Sequence, residues 1–152
     1  LETIINLIKV NDKLFTSGQP TKEQFDLIAA SHFDVVINLA LATSENRLEN
    51  EDDIVTSLGM NYFHIPVDFE TPTLKNLNDF LHLLYSLRDK KVWVHCMKNY
   101  RVSAFMYVYH KYIFQTPFEE INLDIFNEWQ PSTAWQDIMK TPMEQLDLDF
   151  IN

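Results

Sequence analysis

The sequence predicts an α/β fold: a central, mainly parallel sheet of four to five strands with helices on both faces. Short apolar runs alternate with longer segments of helical period. The apolar runs lack polar alternation, the pattern of strands covered on both sides. No repeat and no Gly/Ser/Pro linker interrupts the alternation.

Taken in order, Leu14-Phe15-Thr16 predicts an edge strand. Thr21 caps a helix running to about Ser31, with Gln24 as its capping-box partner. Asp34 to Leu39 is a buried strand. Glu45 to Leu58 is a polar helix ended by Gly59. Tyr62-Phe63-His64-Ile65 is a second buried strand, stopped by Pro66. Thr71 and Pro72 mark an N-cap and first helical position. Leu74, Leu77, Leu81, Leu84 and Leu87 then share one helical face. Lys91 to His95 is another strand, and Arg101 to Phe114 a largely buried helix. Pro117 to about Ile138 reads as two further helices around Trp129 and Trp135, both packing anchors.

The 152 residues fit a single domain, 1–152. A chain this long buries about 68–70% of its unfolded surface, enough for a core without staples. The net charge of −10 argues against nucleic acid as a partner. No run of 18 apolar residues exists to span a membrane. The lone cysteine excludes an internal disulfide and a multi-thiolate metal site. Nothing in the sequence sets the oligomeric state.

That cysteine, Cys96, stands at the carboxyl end of the Lys91–His95 strand, before a helix. Ligands of open α/β sheets bind at such junctions. The run is Val94-His95-Cys96-Met97-Lys98-Asn99-Tyr100-Arg101-Val102-Ser103. A helix amino end offers unpaired N–H groups and partial positive charge, which favour a thiolate and hold an anion. Arg101 is a planar fork for two anion oxygens. A thiolate beneath a bound phosphate is a nucleophile already aimed. From Lys90 through Phe118 there is no Asp or Glu, and Arg101 is one of three arginines. Two plain alternatives stand beside this: a lone cysteine is often a small buried hydrophobe, and a buried strand and helix exclude carboxylates anyway.

Together these segments make the chain resemble the cysteine-dependent protein tyrosine phosphatases, in their small bacterial, dual-specificity-like branch. The resemblance spans Leu14 to Phe114. It rests on Phe15-Thr16-Ser17-Gly18-Gln19-Pro20, Val35-Val36-Ile37-Asn38-Leu39, Tyr62-Phe63-His64-Ile65-Pro66-Val67, and Val94-His95-Cys96 feeding Arg101. It implies hydrolysis of phosphomonoesters through a cysteinyl-phosphate, with no metal and no cofactor. The partner it implies is a phosphorylated substrate or a phosphate-like anion. It makes Cys96 the nucleophile, with the Met97, Lys98, Asn99, Tyr100 and Arg101 amides cradling phosphate and the Arg101 side chain on its oxygens. Asp68, 28 residues before Cys96, becomes the general acid, with Glu70 the alternative. Ser103 eases departure of the thiolate, and His95 orients the loop. His32, His64, His82 and His110 lack ligand spacing. Phe63, Phe69, Tyr100 and Trp135 are candidates to wall a pocket for an aromatic ester.

Two features depart from the family pattern. Four residues separate Cys96 from Arg101 where the usual signature has five, so Val102 holds the usual arginine position. The loop also has no glycine, which makes Asn99 the candidate for a left-handed backbone position. The short spacing also resembles rhodanese-like sulfurtransferases, which would carry a persulfide on Cys96. A phosphate-binding module with weak or no turnover is the third reading. A reactive thiolate with no resolving partner favours a reducing cytoplasm. The chain starts at Leu1 without a visible signal peptide, so an exported form with its leader removed stays open.

Overall fold

The computed structural model describes residues 1–151. It holds five strands in the order β1-β2-β5-β3-β4. These are β1 (Ile8–Asn11), β2 (Leu14–Ser17), β3 (Val35–Asn38), β4 (Asn61–His64) and β5 (Val92–His95). β5 is central, parallel to β2 and β3, and β3 is parallel to β4. Only β1 runs antiparallel, in a hairpin with β2. The Leu14–Thr16 segment is therefore an inner strand, and the edge is a strand the apolar-run criterion passes over. β1 alternates half-buried and exposed residues, as an edge does.

Successive strand residues feed opposite faces. Val35, Ile37, Val92 and Val94 enter one core, with Leu77, Phe80, Leu81 and Leu84 of α3 (Leu74–Ser86) and Val102, Phe105 and Val108 of α4 (Tyr100–Tyr109). Trp135 and Ile138 of α5 (Thr133–Met139) join them. Val36 and Trp93 enter the other core, with Phe25 and Ile28 of α1 (Lys22–Ala30) and Val55 of α2 (Glu51–Ser57). The expected two-sided covering is present.

Helix ends follow their caps. The Thr21–Gln24 capping box forms in both directions, at 3.1 and 2.9 Å. α2 is shorter than expected: Asn50 is left-handed at φ 58°, and the preceding residues turn instead of coiling. Gly59, at φ 88°, closes α2 with the Gly59 N–H on Thr56 O and the Met60 N–H on Val55 O. α3 is capped by Thr73, not Thr71, because the Thr73 hydroxyl accepts the Asn76 N–H at 3.0 Å. α4 passes into a π turn over His110–Phe114. Beyond Pro117, among the described residues, only α5 is an α-helix; Trp129 follows a 3₁₀ turn, Asp124–Asn127. Among the described residues no helix is long and apolar enough to cross a membrane.

Candidate active site

β5 ends at His95, and α4 starts at Tyr100, so residues 96–99 turn from sheet into helix. The turn is made without glycine: Asn99 takes φ 69°. Its side-chain amide donates to Asn6 O at 2.8 Å and Thr16 Oγ1 at 3.0 Å, which holds the left-handed residue in place. Asn residues tolerate this region better than other non-glycine residues.

The loop carbonyls are all engaged away from one another. Cys96 O faces His95 Nδ1 at 3.1 Å. Met97 O accepts the Gln19 N–H at 3.0 Å and Asn46 Nδ2 at 3.1 Å. Lys98 O accepts Asn6 Nδ2 at 2.9 Å. By contrast, the N–H groups of Met97, Lys98, Tyr100 and Arg101 have no protein acceptor among the described residues. Unpaired amides at a helix start form an anion nest.

Cys96 and Arg101 line one cavity of 260 Å³ with Met97, Lys98, Tyr100 and Phe69. Cys96 is buried, and Arg101 is only 5% exposed. The guanidinium donates to Val67 O at 2.8 Å and lies 5.6 Å from the Phe69 ring centre. No carboxylate pairs with it among the described residues. Val102, at the position where the longer signature has arginine, is fully buried in the core. The four-residue spacing thus turns Arg101 toward the cysteine and Val102 away.

The segment after β4 closes one wall. The Val67 N–H donates to Leu39 O at 3.0 Å, and Trp135 Nε1 donates to Phe69 O at 2.7 Å. Asp68 and Glu70 flank Phe69; both are exposed, and the Glu70 N–H donates to Asp68 Oδ1 at 2.8 Å. Neither carboxylate lines the cavity. Ser103 lies on the far side of the turn, its hydroxyl donating to Asn99 Oδ1 at 3.3 Å. In this arrangement Ser103 supports Asn99 and makes no hydrogen bond to the sulfur. Of the four aromatic candidates, Phe69 and Tyr100 reach the cavity. Trp135 instead anchors the wall from behind, and Phe63 packs against the core. Tyr100 lies flat on Trp129, 5.0 Å between centres and 1° between planes.

Sequence reasoning passed over the buried Glu51. Its Oε2 accepts His95 Nε2 at 2.7 Å and Tyr62 OH at 2.9 Å, and its Oε1 accepts Gln19 Nε2. The two His95 nitrogens lie against Cys96 O and Glu51 Oε2. Burial pushes the Glu51 carboxyl up, but the facing His95 and the three hydrogen bonds outweigh it and hold it below its ordinary value. Burial and the neighbouring Glu51 push the Tyr62 hydroxyl up. Glu51 sits in an acidic run with Glu49, Asp52 and Asp53, and no sequence signal separates it from them. Among the described residues no cluster of three His, Cys, Asp or Glu side chains is arranged to hold a metal ion.

The chain is similar to known proteins. Residues 6–141 match the family model described as DSP-PTPase phosphatase fused to NAD+ kinase. A crystal structure of a Shewanella putrefaciens DUF442 protein, provisionally classed as a phosphatase, is 34% identical, with TM-score 0.84 and 91% of each chain covered. Pseudomonas aeruginosa TpbA shares the fold at 16% identity and TM-score 0.69, over 89% of this chain and 83% of that one. The core catalytic domain of the Saccharomyces cerevisiae PP-IP phosphatase SIW14 does so at 14% identity and TM-score 0.72, over 91% and 87%. No match was found among curated proteins.

Proposed function

The chain belongs to the family of dual-specificity-type phosphatases described as fused to NAD+ kinase, and on that footing we propose that Cys96 is the nucleophile of a phosphomonoesterase whose phosphate site is the 96–101 loop. The phosphatase reading is favoured over the sulfurtransferase and binding-module alternatives. The observation that carries the site assignment is the loop itself, with carbonyls tethered outward, amides unpaired, and Cys96 and Arg101 on one cavity.

The phosphate of a monoester sits against the Met97 to Arg101 amides, with two of its oxygens on the Arg101 fork. The Cys96 thiolate attacks phosphorus, an S–P bond forms, and the ester P–O bond breaks. Asp68 gives its proton to the departing oxygen. Water then attacks phosphorus and returns a proton to the Asp68 carboxylate. The S–P bond breaks, the thiolate is restored, and inorganic phosphate leaves. Glu70 is the alternative acid. Asp68 has the better support, because it directly follows Val67, whose carbonyl holds Arg101. The step requires the exposed Asp68 carboxylate to turn over the cavity, which it does not line in this structure. The Phe69 and Tyr100 walls suit an aromatic leaving group such as a phosphotyrosine side chain.

Turnover of p-nitrophenyl phosphate tests this. Cys96→Ser removes turnover while phosphate still binds. Asp68→Asn lowers kcat by about 10²–10⁴-fold with an ordinary phenol leaving group, and less with nitrophenol, which departs without a proton. Full activity in Cys96→Ser would overturn the assignment.

A further inference from the structure

We propose that Asn6, in the segment before the first strand, is a positioning residue that locks the phosphate loop in its anion-binding form. The proposal rests on the phosphatase reading above and adds to it a residue outside the loop.

Asn6 touches the loop directly twice and reaches it once more through Glu128. Its side-chain Nδ2 donates to Lys98 O at 2.9 Å. Its own carbonyl accepts Asn99 Nδ2 at 2.8 Å. The same Nδ2 lies 3.2 Å from Glu128 Oε2, which also accepts the Tyr100 hydroxyl at 2.8 Å. Three of the four residues between Cys96 and Arg101 are thereby held, directly or through Glu128. The fourth, Met97, is held by Gln19 and Asn46.

The side-chain type fits the task closely. Asn6 has φ 50°, a region where Gly, Asn and Asp are tolerated. Glycine brings no donor, and an ionised aspartate only accepts. Asparagine alone among them carries an NH₂ with two hydrogens, one for Lys98 O and one for Glu128. The residue is itself fixed: Ile4 is buried in the core, and the Gly18 N–H donates to Ile5 O at 2.7 Å.

A loop without glycine, and one residue shorter than usual, needs its peptide orientations imposed from outside. A turn of the Lys98–Asn99 peptide would carry the unpaired Lys98 and Tyr100 N–H groups on either side of it out of the nest. The hydrogen bond from Asn6 to Lys98 O holds that peptide in place. Positional errors near 1 Å cost on the order of 10²-fold in rate, so this bond acts on catalysis through the loop.

Two variants test the idea. Asn6→Asp keeps the backbone conformation and removes the donor; Asn6→Gly keeps the backbone and removes the side chain. Both are expected to lower kcat/KM for p-nitrophenyl phosphate about tenfold or more and to weaken orthovanadate binding in parallel. Hydrogen exchange with orthovanadate bound supplies a readout that does not depend on turnover: the 97–101 amides, protected by the anion in the wild type, exchange faster in both variants, while β5 stays protected. A merely structural residue would lower the melting temperature and leave the loop's exchange in the folded protein unchanged. Folded variants with kcat/KM within about twofold of wild type and unaltered loop exchange overturn the proposal, as does loss of folding in both. If the wild type turns over no ester, the phosphatase reading fails, and loop exchange with vanadate affinity still judges Asn6.

Discussion

Gly18 shows how one residue type secures the loop. A methyl group there would lie 2.6 Å from Met97 O and 3.0 Å from Lys98 Cα, both backbone atoms that cannot move without shifting the nest. Gly18→Ala is therefore expected to cost about 1–3 kcal/mol, read as a fall in the urea midpoint. Activity is expected to fall further than stability does, because the displaced atoms belong to the proposed phosphate site. Asn99 was legible in advance: a tight turn without glycine needs another residue able to go left-handed, and Asn99 is the one that does, at φ 69°. Arg101 was half legible. Its spacing from Cys96 can be counted in the sequence, but which of Arg101 and Val102 faces the sulfur depends on the phase of α4. Glu51 was not legible, because a buried carboxylate and an exposed one read the same inside an acidic run.

Among the elements, boundaries set by side-chain chemistry were easier to read than those set by contacts. The Thr21 capping box and the Gly59 helix stop are local motifs, satisfied by bonds three to five residues apart. The start of α2 is set from far away: Asn46 donates to Met97 O, 51 residues on, and the chain before Asn50 bends to reach it. The π turn after α4 has a titratable residue at its start. Burial lowers the pKa of His110, whose Nδ1 is 2.9 Å from Thr116 Oγ1. With its folded value below the unfolded one of about 6.5, His110 stabilises the fold above that pH. The contribution is lost as pH falls through the folded value. Melting temperatures at pH 8 and pH 5 should therefore drop more for wild type than for His110→Gln. An equal drop in both removes His110 as the cause.

Across the whole molecule, the sheet separates two cores, and the Glu51–His95 pair links α2 on one side to the loop at the end of β5. Removing one partner of a buried pair leaves the other uncompensated, so Glu51→Ala is expected to cost about 3–5 kcal/mol at neutral pH. The pH dependence has a definite sign. The Glu51 pKa is lowered on folding, so its contribution is complete above the ordinary carboxylate value of about 4.3 and fades as pH falls through the folded value. The difference in unfolding free energy between wild type and Glu51→Gln should shrink as pH falls from about 5 to about 3. Urea titrations across that range measure it, and a constant gap down to pH 3 would contradict the assignment.

The primary structure was sufficient for the alternation of apolar strands and helices, for the junction carrying Cys96 and Arg101, and for the family, because these depend on periodicity and on neighbours a few residues apart. Folding settled the rest: the position of β2 inside the sheet, the direction of Arg101, the bonds of Asn6 to loop residues 92 and 93 positions away, the close approach of Gly18 to Met97 and Lys98, and the bond of Glu51 to His95, 44 positions away. Contacts at such separations obey packing and hydrogen-bond satisfaction in three dimensions, and no linear spacing encodes them.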